Sequence, residues 1–171
     1  MARGADLSCQ ALANSLWGFA TLHWAPPGPV LQVLQEGILR ESSRASAQHV
    51  GNLLWSFATL RLAPDEPVMA ALVRATGRTL SQASIQGISN SLWALAVMRW
   101  DPGSELWRQV EAAIRAEAGR ATAQNVGNCL YALEKLRHIP SKACLDALRD
   151  ALVRRARRAA SLMRQECGDG G

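Results

Sequence analysis

Four asparagines stand at Asn14, Asn52, Asn90 and Asn128, and the steps 52−14, 90−52 and 128−90 are all 38. Each belongs to a near-copy of one phrase: NSLWGFATL from Asn14, GNLLWSFATL from Gly51, NSLWALAVM from Asn90 and GNCLYALEKL from Gly127. A fixed period of this size constrains the fold more than any composition figure, because each unit must be one supersecondary element that buries its apolar face against its neighbours. Other columns keep the register. Gln10, Gln48, Gln86 and Gln124 precede each Asn by four residues, and Ser8, Ser46, Ser84 and Thr122 precede each Gln by two. Pro26, Pro64, Pro102 and Pro140 close each first half.

The Ser/Thr column predicts helix N-caps, the hydroxyl accepting from a free N–H of the first turn. The Pro column predicts where that first helix stops, since proline cannot continue it. A second helix is expected from Pro29, Pro67, Glu105 and Ala143, with inward residues Leu31/Leu34/Ile38, Met69/Leu72/Thr76, Trp107/Val110/Ile114 and Leu145/Leu148/Leu152 at i, i+3, i+7 spacing. No segment carries a strand pattern. The expected fold is all-α: an α-solenoid of four helix-turn-helix repeats over 8–45, 46–83, 84–121 and 122–159. A lead-in over 1–7 and a basic, Gly-rich tail over 160–171 flank them.

The first helix of each repeat carries a wide apolar arc, which suits a helix buried on both sides. In the second repeat Val50, Leu54 and Phe57 lie on it beside the small Gly51 and Ala58, and the stripe left over holds Gln48, His49, Asn52, Ser56 and Thr59. Along this stripe Gln and Asn are fixed in every copy, while the residue after each Gln varies: Ala11, His49, Gly87, Asn125. Ser15, Leu53, Ser91 and Cys129 vary at its edge. Fixed amides around a variable position suit a modular recognition surface, since an amide offers both donors and an acceptor to a base edge or a polymer backbone. The same amides could instead lock one repeat to the next. The aromatic column Trp17, Trp55, Trp93 and Tyr131 stands at the edge of the apolar arc, where core packing is the favoured role and base stacking the other. Trp24, Trp100 and Trp107 break the register as a set and are expected to be local hydrophobic filler. Arg61, Arg99 and Arg137, with His23 in the first copy, occupy equivalent positions at the helix end. They either complement the helix dipole or form a row of phosphate contacts.

The net charge of +5 is unevenly spread, because residues 153–171 hold five arginines against Glu166 and Asp169, which leaves +2 for the body. Such a body does not by itself announce a nucleic-acid partner. Cys9, Cys129, Cys144 and Cys167 show no CxxC or metal-ligand spacing and are expected to be free thiols. No apolar run reaches the ~18 residues of a membrane span, and no targeting segment is evident. The three histidines, His23, His49 and His138, take different repeat positions with no catalytic partner at a telling distance, so neither an enzyme, a cofactor, a metal nor a small-molecule substrate is expected.

The 38-residue helical hairpin with Gln-x-x-x-Asn-x-Leu-Trp-x-Phe/Leu-Ala closely resembles the octotricopeptide repeat, over residues 8 to about 158. It is also similar to the helical repeats of FAST-kinase-like proteins and of RNA-editing substrate-binding complexes. The resemblance implies single-stranded RNA binding in organellar RNA processing, stabilisation or editing, in a mitochondrion or chloroplast and among other RNA-processing proteins. It implies Ala11, His49, Gly87 and Asn125 as base readers, with Gln10, Asn14, Gln48, Asn52, Gln86, Asn90, Gln124 and Asn128 as fixed flanks. Arg61, Arg99 and Arg137 are the candidate phosphate contacts. Two departures stand out: Glu134 and Lys135 in the fourth copy resemble a capping repeat with a wetter outer face, and no nuclease-like or RAP-type domain follows. The alternative is an armadillo-like peptide-binding scaffold, which also presents an Asn ladder beside Trp, although there the aromatic precedes the Asn by four.

Overall fold

The computed structural model describes residues 7–168, with side chains as far as residue 161. Of the expected lead-in over 1–7 and tail over 160–171, residues 1–6 and 169–171, and the side chain of Cys167, lie outside the described residues. Eight α-helices follow in order: α1 (Cys9–Thr21), α2 (Gly28–Glu41), α3 (Ala47–Leu60), α4 (Glu66–Thr79), α5 (Ile85–Val97), α6 (Ser104–Glu117), α7 (Ala123–Lys135) and α8 (Lys142–Gly168). Short 3-10 turns, Ser42–Arg44, Leu80–Gln82 and Ala118–Arg120, follow α2, α4 and α6. The described residues contain no strand, so the protein is all-helical.

The starts of the odd helices are written in the Ser/Thr column. The hydroxyls of Ser8, Ser46, Ser84 and Thr122 accept from the N–H groups of Ala11, His49, Gly87 and Asn125, satisfying one orphan donor of each first turn. The even helices begin at 28, 66, 104 and 142, one residue ahead of the expected positions. The expected stop is corrected. The prolines lie four or five residues beyond the last helical residues, Thr21, Leu60, Val97 and Lys135, and a left-handed residue comes first: His23, Arg61, Arg99 and Arg137 have φ of 52°, 54°, 55° and 53°. At each, the next N–H reaches back to close the last turn, as Leu62 does to the Phe57 carbonyl at 3.0 Å while Arg61 N–H donates to Ala58 at 3.1 Å. This is the Schellman pattern, with a basic residue where glycine is usual.

The odd helices pack in series, α1 on α3, α3 on α5 and α5 on α7, and the even helices do the same. Each odd helix also packs on the even helix that follows it. The core lies between the two rows, and its fully buried members include Leu12, Leu16, Leu54, Phe57, Leu92 and Ile114. At Gly37 the approach of α1 is so close that an added Cβ would lie 2.7 Å from a methyl of Leu12. Polar ties join successive even helices. Gln35 accepts from the Asp65 N–H at 2.7 Å and donates to its carboxylate at 3.1 Å. Arg78 donates to the carbonyl of Ser42 at 2.8 Å, and Arg155 to that of Ala121 at 2.9 Å. Of the residues expected inward on the last helix, Leu148 is buried, but Leu145 and Leu152 are exposed because no further helix covers them.

A non-glycine residue in the left-handed region costs about 1–2 kcal/mol, and a glycine loses about 0.5–1 kcal/mol more conformational freedom than alanine on folding. The same substitution gives up about 0.3–1 kcal/mol of favourable interaction with the helix C-terminus, so Arg61→Gly and Arg99→Gly are each expected to change stability by no more than about 0.5 kcal/mol, measured by urea denaturation.

Candidate nucleic-acid interface

Residues at i, i+4, i+7 and i+11 share one face of a helix. On α3 that face reads Gln48, Asn52, Trp55, Thr59, and on α5 it reads Gln86, Asn90, Trp93, Val97. The same positions are Gln10, Asn14, Trp17 and Thr21 on α1, and Gln124, Asn128, Tyr131 and Lys135 on α7. All four Gln side chains are exposed, and the Asn residues are exposed or half-buried. The aromatics belong to this same stripe: Trp17 is 47% and Tyr131 39% exposed, which corrects their expected place in the core, while Trp55 is half-buried and Trp93, also half-buried, packs against the core. Ser56, expected on the stripe, is fully buried and donates to the Asn52 carbonyl at 2.7 Å.

Two grooves follow one another down the stripe. The first, of about 510 Å³, is bounded by Trp17 and Trp55 and lined by Gln48, Asn52, Gln86 and Asn90, with Gly87 between the last two. The second, of about 760 Å³, lies against the helix ends and is lined by Trp93, Tyr131, Arg61, Arg99 and Lys135. Its wall includes Thr59, whose hydroxyl oxygen is buried without a hydrogen-bond partner. The Lys135 ammonium sits 5.8 Å from the centre of the Tyr131 ring, in cation–π range. No carboxylate lines either groove. Helices α1, α3 and α5 contain no Asp or Glu at all, and α7 has only Glu134. The acidic residues sit on the even helices and their turns, so the local field over the stripe is more positive than the modest net charge suggests.

The variable position has a local explanation that its spacing did not reveal. It is the third residue of each odd helix, where a side chain can reach back to the cap. The His49 ring nitrogen Nδ1 accepts from the Ser46 N–H at 3.4 Å. Asn125 accepts at Oδ1 from the Thr122 N–H at 2.9 Å and donates to the Ser89 hydroxyl on α5 at 3.1 Å. It is 7% exposed, so its polar atoms are committed within the fold. Ala11 and Gly87 offer no polar side chain, and only Gly87 lines the amide groove. The Asn column also has an architectural contact, since Asn128 donates to the Asn90 side chain at 3.4 Å. Of the edge positions, Leu53, Ser91 and Cys129 are buried and only Ser15 is exposed. Arg61 and Arg99 share the second groove, whereas Arg137 lines a separate concavity beside Asp101 and Glu111.

That third concavity is structural. Trp107 is buried, donates to Asp101 at 3.0 Å and stacks on His138 with ring centres 4.1 Å apart. Glu111 lies 2.8 Å from His138 and accepts from the Ser141 N–H at 3.0 Å. Burial works to raise the Glu111 carboxyl, but the hydrogen bonds from Ser141 and His138 outweigh it and hold it below the ordinary carboxylate range. Burial, with Cys144 nearby, pushes the Cys129 thiol up to about 12; burial, then Glu111, pushes Cys144 up to about 11. Both are inert thiols at neutral pH. Among the described residues no group of three His, Cys, Asp or Glu could hold a metal ion, and no helix is long and apolar enough to cross a membrane.

No protein-family model matches the chain, and no curated protein matches it.

Leu16 and Trp17 are sequence neighbours with opposite surroundings. Leu16→Ala is expected to cost about 2–5 kcal/mol as a core truncation. Trp17→Ala is expected to cost about 1 kcal/mol or less, since nearly half of the ring is already in water. Paired chemical-denaturation curves check both; equal losses would return the aromatic column to the core.

Proposed function

We propose that this chain is a non-catalytic single-stranded RNA-binding protein, an α-solenoid of four 38-residue helical hairpins whose odd helices face the RNA. The observation that carries this reading is the stripe itself: Gln, Asn and an aromatic ring at the same three positions of four successive helices, on a face with no carboxylate before Glu134. Each part has a job that single-stranded RNA needs done. The half-exposed rings of Trp17 and Trp55 offer π-faces on which unpaired bases stack, each contributing about 1–3 kcal/mol. The amides of Gln48, Asn52, Gln86 and Asn90 line the same groove and can donate to and accept from base edges. Arg61, Arg99 and Lys135, further along the same helices, supply fixed positive charge for the phosphate backbone.

In this mechanism the amides and rings recognise bases, and the residue after each Gln sets the shape of the approach. His49 leans on its cap and Gly87 leaves room; Asn125, tied to Ser89, fixes the last helix in place. A duplex would hide the faces and edges that this surface reads, so single strands are the substrate class. One base per hairpin gives about four nucleotides, and the association and ordering costs hold the affinity of one chain to the micromolar range or weaker. The organellar setting, and service to RNA processing, stabilisation or editing beside other RNA-processing proteins, rest on the resemblance to octotricopeptide repeats.

Fluorescence anisotropy with a randomised single-stranded RNA pool, titrated at several salt concentrations, tests the proposal. Binding is expected to prefer single strands over duplex and to weaken with salt. Arg61→Ala or Arg99→Ala should each reduce the log–log salt slope by about 0.7. Trp17→Ala or Trp55→Ala should weaken binding by about 1–3 kcal/mol with that slope unchanged. No binding at low salt and high protein concentration would overturn the reading and favour a peptide-binding scaffold.

A further inference from the structure

The 38-residue register allows the same position to be compared in different surroundings. Val68, Leu106 and Cys144 are 1%, 6% and 0% exposed, yet their equivalent on α2, Val30, is 39% exposed. Leu53, Ser91 and Cys129 are buried, but Ser15 is exposed. Ser91 shows which way this column faces, because its hydroxyl lies 3.7 Å from where a Cβ on Gly51 of the preceding odd helix would stand. Among the described residues nothing covers, on the α1–α2 pair, the face that each later pair buries against its predecessor. Leu22 and Trp24, among the most exposed large apolar side chains described, extend the same face.

The opposite end shows the other half of that interface. Leu16, Leu54 and Leu92 are at most 1% exposed, and their equivalent on α7, Leu130, is 40% exposed. Met69 and Trp107 are buried where Leu145 is exposed, and Ile38, Thr76 and Ile114 where Leu152 is exposed. Ser89, fully buried and bonded to Asn125, shows that this second set faces the following helix. The internal joints thus each mate one set to the other, and both sets lie open at the two ends of the described chain.

We infer that a second copy of this chain docks head-to-tail, the α7–α8 outer face of one copy seating on the α1–α2 face of the next. The contact is apolar and continues the joints inside the fold. It is heterologous, so each bound copy offers a fresh free face and association is open-ended. Two side chains oppose it: Glu134 stands where Ala20, Ala58 and Ala96 are buried, and Arg149 stands where Gln35 and Glu111 bond to the following hairpin, and burying either charge is unfavourable. Association is consequently weak and concentration-dependent, and it lengthens the amide–aromatic stripe by four helices for each copy added.

Sedimentation velocity over a dilution series tests this on the full chain. The wild-type protein should show mass that rises with concentration beyond a dimer, and Glu134→Ala should shift that rise to several-fold lower concentration. Val30→Asp and Leu130→Asp should each give monomers with unchanged helical circular dichroism, since both side chains are already solvent-accessible. If Val30→Asp perturbs folding, Leu22→Asp probes the same face from a position 72% exposed. Mixing the two monomeric variants should restore a 1:1 dimer that grows no further, because each retains the one good face that the other lacks. A wild-type chain that stays monomeric at every concentration would overturn the inference. So would Leu130→Asp protein that still dimerises undiminished, since that marks a two-fold contact between α1–α2 faces.

Discussion

Everything on the exposed stripe depends on the side-by-side packing of the odd helices. Each of α3 and α5 is covered by an odd helix on both flanks and by an even helix behind, so one narrow face remains. The packing is close because its contact columns are small. Ala13, Gly51 and Ser89 form one such column, and Ala20, Ala58 and Ala96 another, all buried. Large side chains there would spread the helices and rotate them, and the Gln, Asn and aromatic columns would lose their common direction. The alignment of the stripe is therefore a property of residues that never touch it.

The left-handed residue at the end of each odd helix fixes the other boundary. Glycine would adopt that conformation without strain, yet the four positions hold His23, Arg61, Arg99 and Arg137. The helix dipole offers part of the compensation, since the last carbonyls favour a nearby positive charge by about 0.3–1 kcal/mol. Together with the roughly 0.5–1 kcal/mol that a glycine would lose on folding, it about offsets the conformational cost of about 1–2 kcal/mol. Arg61 and Arg99 are also exposed beside the second groove, where a partner can meet them. In the proposed reading this is phosphate.

The period carried the helical character, the N-caps and the grouping of Gln and Asn, because those depend on local geometry that spacing determines directly. The aromatic column divides between two roles. Its spacing of three from Asn and seven from Gln puts it on the stripe and at the edge of the apolar arc at once, and the arc alone favours the core, which Trp93 meets and Trp17 does not. The third-residue position of each odd helix was not legible at all. A variable residue between fixed amides has the same pattern whether it reads a ligand or closes a capping box, and only the bonds of His49 and Asn125 separate the two. The helix stop was placed at proline, the residue that forbids a helix, when a left-handed turn at Arg61 and its equivalents had already ended it.

Charge was the least legible property, because a sum over the chain hides how it is divided. Glu36, Asp65, Glu66, Asp101, Glu105 and Glu111 all lie on the even helices or the turns that lead into them. A polyanion approaching from the odd-helix side meets amides, aromatic rings and then Arg61, Arg99 and Lys135, with those carboxylates one helix layer behind. Exposed charges more than about 8–10 Å apart are largely screened at physiological salt, and packed helices stand about 8–10 Å apart axis to axis. The carboxylates of Glu36, Glu105 and Glu111 are thus at the limit of their reach when seen from the groove, whereas Asp65 and Asp101 follow Arg61 and Arg99 by only four and two residues. In the proposed reading a nearly neutral body offers phosphate a face poor in carboxylates, and the two-row arrangement of the helices keeps most of the acidic residues off that face.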